Sequence, residues 1–198
     1  KEGIWQLGEE AAAAANGQEP GDIKVQDVDG NGVITTDDRI IYSQRPDVTF
    51  GFNNTFNYKG FDLSVFLYAR LGQWIAYDYN TTYRINALEN GGNVDYWTPE
   101  NPTNAFPRPN KSKSYTQVTY YSTLKYEDGS FFKIRDITLG YTFKPELLKH
   151  LNLSRLRVYA TAKNFFTFSK IDNYDPEQGG SISFPMTKQL VFGLNVEF

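Results

Sequence analysis

Cysteine is absent from the 198 residues, which excludes disulfides and thiolate sites and suits a bacterial envelope protein. Histidine occurs once, at His150 beside a predicted turn. Catalysis by a paired histidine would rest on that one residue, which reads as solvated. No lysine- and arginine-rich block stands out, and the net charge is only −3, so nothing points to nucleic acid. No apolar run approaches the roughly 18 residues that a membrane helix needs. There is no phosphate-binding loop and no dinucleotide fingerprint. No pair of carboxylates can be placed at glycosidase separation from the sequence. These absences leave no motif for an enzyme. The chain starts at Lys1 without a methionine or signal peptide, so a fragment or a processed piece is expected.

What the chain does have is aromatic residues, at 16%, with 14 Tyr and 15 Phe. Its mean hydropathy of −0.52 is that of a soluble protein. Strands that alternate outward and inward average to the same weak signal, so the value decides little. Lys188 to Phe198 alternates without a break. Leu190, Phe192, Leu194, Val196 and Phe198 share one side. Gln189, Gly193, Asn195 and Glu197 share the other, with Val191 the misfit. A period of two is a strand, and ten or eleven tilted residues cross the hydrocarbon of a membrane.

Four more stretches alternate, giving five expected strands at about 49–58, 61–71, 130–143, 155–168 and 188–198. Lys59-Gly60 makes a tight turn between the first two. In the third, the apolar parity slips near Arg135, which a bulge or a strand leaving the membrane would explain. The fourth carries Arg155, Arg157 and Lys163 on one face, which cannot meet lipid and must line water. The links alternate between short (Lys59-Gly60, Lys144–Leu151) and long (72–129, 171–187). Membrane barrels have short periplasmic turns and long outer loops. The fold expected is therefore all-β, the carboxy-terminal strands of an antiparallel transmembrane barrel whose other strands lie elsewhere.

Residues 1–48 read as an extracellular lead-in. Glu9 to Ala15 is a short helix by propensity. Residues 27–38, DVDGNGVITTDD, space oxygen ligands for a hard cation: Asp27, Asp29, Asn31, the Val33 carbonyl and Asp38, with Gly32 at the sharp turn. The chemistry calls for structural Ca2+. Flanking helices of an EF-hand are missing, and an Asx-rich turn without metal uses the same residues. The loop 72–129 offers Trp74, Tyr77, Tyr79, Tyr83 and Trp97, and the strands offer Arg70 and Arg157. Such side chains can stack on or hydrogen-bond a glycan or peptide, and they also pack loops onto themselves.

GDIKVQDVDGNGVITTDDRIIYSQRPDVTFGFNNTFNYKGFDLSVFLYARLGQ, EDGSFFKIRDITLGYTF, LRVYATAKNFFTFSKIDNYDPE and the closing GLNVEF resemble, in the same order, the SusC/RagA-type TonB-dependent transporters of Bacteroidota. The resemblance implies a barrel of about 22 strands with an amino-terminal plug, of which this chain supplies the last five. It implies import of glycans or peptides across the outer membrane, under a SusD-like surface lipoprotein and driven by the TonB complex through an amino-terminal part these residues lack. It carries the 27–38 loop over as a calcium site and carries over no catalytic residue. Phe198 matches the terminal aromatic read by the barrel-assembly machinery. The alternative is a soluble calcium-dependent all-β carbohydrate-binding module, which predicts neither the alternating link lengths nor the terminal aromatic.

Overall fold

The computed structural model describes residues 1–77, 94–109, 119–171, 174–179, 181, 183 and 186–198. The chain divides into two compact units. One is built chiefly from Lys1–Tyr42 and Ile75–Glu127, the other from Ser43–Trp74, Asp128–Gly179 and Ser183–Phe198.

In the first unit, β1 (Gly3–Ile4) pairs antiparallel with β2 (Ile23–Lys24). Between them runs α1 (Glu10–Ala15), an alanine helix whose Ala13 is fully buried. Two turns of helix are marginal alone, so this packing is what holds it. Ile4, Ile23, Trp97 and Leu124 form the core, with Val25, Phe106 and Tyr120 against it. Trp97 Nε1 donates to Gln6 Oε1 at 2.8 Å, and Trp5 Nε1 donates to Gln18 Oε1 at 2.6 Å, so both indoles are buried with their polar atom satisfied. The described part of 72–129 is thus packed structure rather than an open loop. It includes β5 (Trp74–Ala76), a 3-10 turn at Tyr121–Leu124 and β6 (Tyr126–Asp128), and β5 pairs with β6.

The second unit is one antiparallel sheet, in the order β3 (Val48–Tyr58), β4 (Phe61–Leu71), β7 (Phe131–Thr142), β8 (Arg155–Ser169) and β9 (Gln189–Glu197). β3 and β4 join at Lys59 and Gly60, with φ of 48° and 89°, the positive pair that a two-residue hairpin requires. β7 and β8 are joined through α2 (Pro145–Leu148), with proline at its start, and a 3-10 turn at Lys149–Leu151.

The register sorts the residues into two faces. Phe56, Leu63, Leu139, Ala160 and Phe192 form one continuous row across all five strands. Asn57, Asp62, Gly140, Tyr159 and Gly193 form the next row, on the opposite face. Among the described residues nothing covers the apolar face: Phe192 is 74% exposed and Leu194 67%. Large side chains left bare in rows are a surface that meets something apolar.

The slip of parity at Arg135 is a bulge. Phe66 pairs with Asp136 and Leu67 with Ile134, so Arg135 is the extra residue against β4. On the other side it faces two residues of β8, Asn164 and Phe165, between the Lys163 and Phe166 pairs. Asn164 has φ of 58° to accommodate this. The bulge brings Ile134 and Phe132 onto the apolar face and turns Lys133 to the polar one.

Candidate functional site

Two features carry chemistry: an acidic loop in the first unit and the polar face of the sheet in the second. The loop is organised by its own carboxylates. Asp27 accepts from the N–H groups of Gly30 and Gly32, both at 2.7 Å, one on each oxygen. Asp29 accepts from Asn31 N at 3.1 Å and Asn31 Nδ2 at 2.8 Å. Asn31 Oδ1 accepts from Val33 N at 2.8 Å. Asp38 reaches back across the loop and accepts from Val28 N and Thr35 N, both at 2.7 Å. Gly32 has φ of 83°, a left-handed turn that suits glycine. One oxygen each from Asp27, Asp29 and Asp38 lies within 4.8 Å of the others. Three like charges this close repel, and what holds them there is the ring of N–H donors. That ring also pulls the Asp38 carboxyl below its usual range, first through the N–H of Thr35, then that of Val28. Three carboxylates beside an amide oxygen are a hard donor set, and it fits a divalent cation such as calcium. Val33 joins the loop here through its N–H.

The polar face of the sheet is laced with ion pairs. Arg157 reaches from β8 across β7 to Asp62 on β4, with Nε to Oδ1 at 2.8 Å and Nη2 to Oδ2 at 2.5 Å. The path is open because residue 140 is glycine: a Cβ there would lie 2.5 Å from both Arg157 Nη2 and Asp62 Oδ1. Arg157 also stands 4.9 Å from the ring of Tyr159. Tyr159 in turn lies on Gly193 of β9, whose Cβ would fall 2.4 Å from Cζ. Thr138 and Thr161 are hydrogen-bonded at 2.8 Å, and Arg155 pairs with Glu197. Further along the strands, Lys133 is completely buried, with Nζ 2.6 Å from Asp175 and 2.9 Å from Glu177. Both carboxylates belong to the 3-10 turn at Pro176–Gln178 and its cap. Arg135 also reaches Glu177, at 3.2 Å. The last loop is thereby fastened to the polar face.

No family model matches the chain. Individual relatives do. It is 31% identical to TonB-dependent receptor P3 of Formosa agariphila, over 99% of this chain and 21% of that receptor. It is 31% identical to TonB-dependent receptor SusC of Bacteroides thetaiotaomicron, over 87% of this chain and 17% of that one. The structure of the RagAB peptide importer in its closed-closed state matches with a TM-score of 0.66 at 27% identity, over 88% of this chain and 20% of the other. The chain is a relative of the SusC/RagA-type TonB-dependent receptors. It spans about a fifth of the length of the curated relatives it matches.

In this SusC/RagA-type segment, the five-stranded sheet is a stretch of transmembrane barrel wall. One face is bare and largely apolar and the other is ion-paired, the division between lipid-facing and lumen-facing sides that the wall of such a barrel has. Of the aromatics considered as ligand contacts or as packing of the loop, Trp97 and Tyr77 are buried. They are 5% and 2% exposed, with the Trp97 ring inside the core. Trp74 is half-buried in β5. Tyr79 and Tyr83 lie outside the described residues. Arg157 is committed to Asp62, whereas Arg70 stays half-buried on the polar face. Phe198, 94% exposed, follows the end of β9 on the parity of the apolar face. Lys133, Asp175 and Glu177 escape a reading of the sequence. A lysine at an apolar parity was visible, but its carboxylate partners lie more than forty residues away.

Proposed function

We propose that this segment is part of a TonB-dependent importer of glycans or peptides across the bacterial outer membrane. The observation that carries the reading is the sheet. Its two faces sort into a bare, largely apolar side and an ion-paired, largely polar side, and its edge strands β3 and β9 have no further partner within the sheet, as a piece of a larger barrel requires. The matches to SusC, which is called a TonB-dependent receptor, and to the RagAB peptide importer support the same reading. The importer works with a SusD-like surface lipoprotein and the TonB complex, and the chain contributes no catalytic residue. The loop of Asp27, Asp29, Asn31, Val33 and Asp38 holds a structural calcium ion on the extracellular side. Support for the ion is the convergence of three carboxylates on a loop whose turns are already set.

The test is extraction of the native protein that contains this chain. The expected result is recovery from the outer membrane in detergent, with a surface lipoprotein co-purifying. Deleting its gene or TonB should stop growth on one class of glycan or peptide. A water-soluble, monomeric protein would refute the reading. For the ion, calorimetry with calcium alone should show binding that is lost in the D27N/D29N variant.

A further inference from the structure

The lumen-side rows of β4, β7 and β8 carry Arg70, Lys133, Arg135, Arg155, Arg157 and Lys163. Nearly all of these cations have a carboxylate. Lys133 and Arg135 share the last loop's acids, Arg155 has Glu197, Arg157 has Asp62, and Lys163 stands 3.9 Å from Asp136. Arg70 has none among the described residues.

Arg70 is nevertheless held in place. Its Nε donates to Tyr68 Oη at 2.7 Å, and its guanidinium carbon lies 5.5 Å from the centre of the Tyr68 ring. The guanidinium of Arg135 lies 5.3 Å from the same ring. One tyrosine thus braces two guanidinium groups. The bond through Nε fixes the group and leaves the two terminal nitrogens of Arg70 without a partner among the described residues. A rigid planar fork with its outer edge free matches a planar carboxylate. The local charge agrees: Arg70, Lys133 and Arg135 are three cations set against the two carboxylates Asp175 and Glu177, so an anion is favoured there.

We propose that Arg70 is a carboxylate-binding residue on the lumen wall, oriented by Tyr68 and seconded by Arg135, and that the cargo of this importer carries a carboxylate. The inference rests on reading the polar face as the wall of an import lumen. A uronate of an acidic glycan and a carboxylate of a peptide offer the same group, and the experiment separates them.

The complete receptor is purified in detergent and titrated with four probes: a tetragalacturonate, its methyl ester, a glutamate-containing peptide, and that peptide with every carboxyl amidated. The expected result is that one acidic probe binds about ten- to a hundredfold tighter than its neutral counterpart, the effect of losing a charge-assisted pair. Arg70→Met should remove that preference. Arg70→Lys, which keeps the charge without the fork, should restore only part of it. Heat-modifiable migration of each variant shows that it is folded. The proposal is overturned if folded Arg70→Met keeps the wild-type preference, or if the folded receptor binds neither acidic probe better than its neutral partner. The importer reading fails on different evidence: absence from the outer membrane, or unchanged growth on glycans and peptides when the gene is deleted.

Discussion

Val65 and Ser64 are neighbours in β4 that project to opposite faces, so one substitution made at each position tests which face meets lipid. Val65 pairs with Asn54 and Ile137 on the apolar side, and Ser64 pairs with Thr55 and Thr138 on the polar side. β4 has 11 residues. At about 3.4 Å per residue and a tilt of roughly 40°, it rises about 26 Å, the height of an outer-membrane apolar band. Val65 then lies about 10 Å inside that band, near the middle. Arginine there should cost about 2–4 kcal/mol, or about thirty- to several hundredfold in the folding equilibrium. Arginine at Ser64 enters a polar row beside Asn53, with which Ser64 shares a hydrogen bond, and should change stability by about 0.5 kcal/mol or less. The assay is equilibrium unfolding in guanidinium of the complete receptor reconstituted in phospholipid vesicles. If both variants lose the same stability, or if Ser64→Arg loses more, the assignment of faces is wrong.

Three further outcomes follow from the geometry. Asp62→Ala should destabilise the receptor by about 1–3 kcal/mol, because it strands a largely buried guanidinium; a double-mutant cycle with Arg157→Met should recover at least half of that. Gly193→Ala should cost about 1–3 kcal/mol by driving a methyl into the Tyr159 ring, and should add little once Tyr159→Ala has emptied the space, as unfolding of the set will show. Hydrogen exchange across residues 27–38 should slow on adding calcium and stay fast in Asp38→Asn. Because the N–H groups of Thr35 and Val28 depress the Asp38 carboxyl, its stabilisation is complete above the ordinary 3.8 and is lost as pH falls through the lowered value, so protection without metal should survive pH 5 and collapse only in stronger acid.

The barrel wall was legible because strand periodicity is local: Leu190, Phe192 and Leu194 declare a face without reference to any other residue. The Arg135 anomaly was legible as an anomaly, though only the pairing of Phe66 and Leu67 with Asp136 and Ile134 makes it a bulge. The convergence of Asp27, Asp29 and Asp38 follows from spacing within one short loop. Contacts that depend on inter-strand register were not legible. Arg157 meets Asp62 across an intervening strand and 95 residues of sequence. Whether Trp97 contacts a ligand or packs its own loop was open in the sequence, because its core partners Ile4 and Ile23 come from the amino-terminal end of the chain.

The glycines of the polar face shape its relief. Tyr159 lies down over Gly193, Arg157 over Gly140, and the Phe66 ring rests 3.7 Å from the point where a Cβ on Gly51 would stand. Tyr159 and Arg157 each lie along the sheet in the space that a glycine on the neighbouring strand leaves, whereas the Phe66 ring is at ordinary contact distance from Gly51. Bulky and charged groups are thereby held close to the backbone of the neighbouring strand, an arrangement that a methyl group at Gly140 or Gly193 would break.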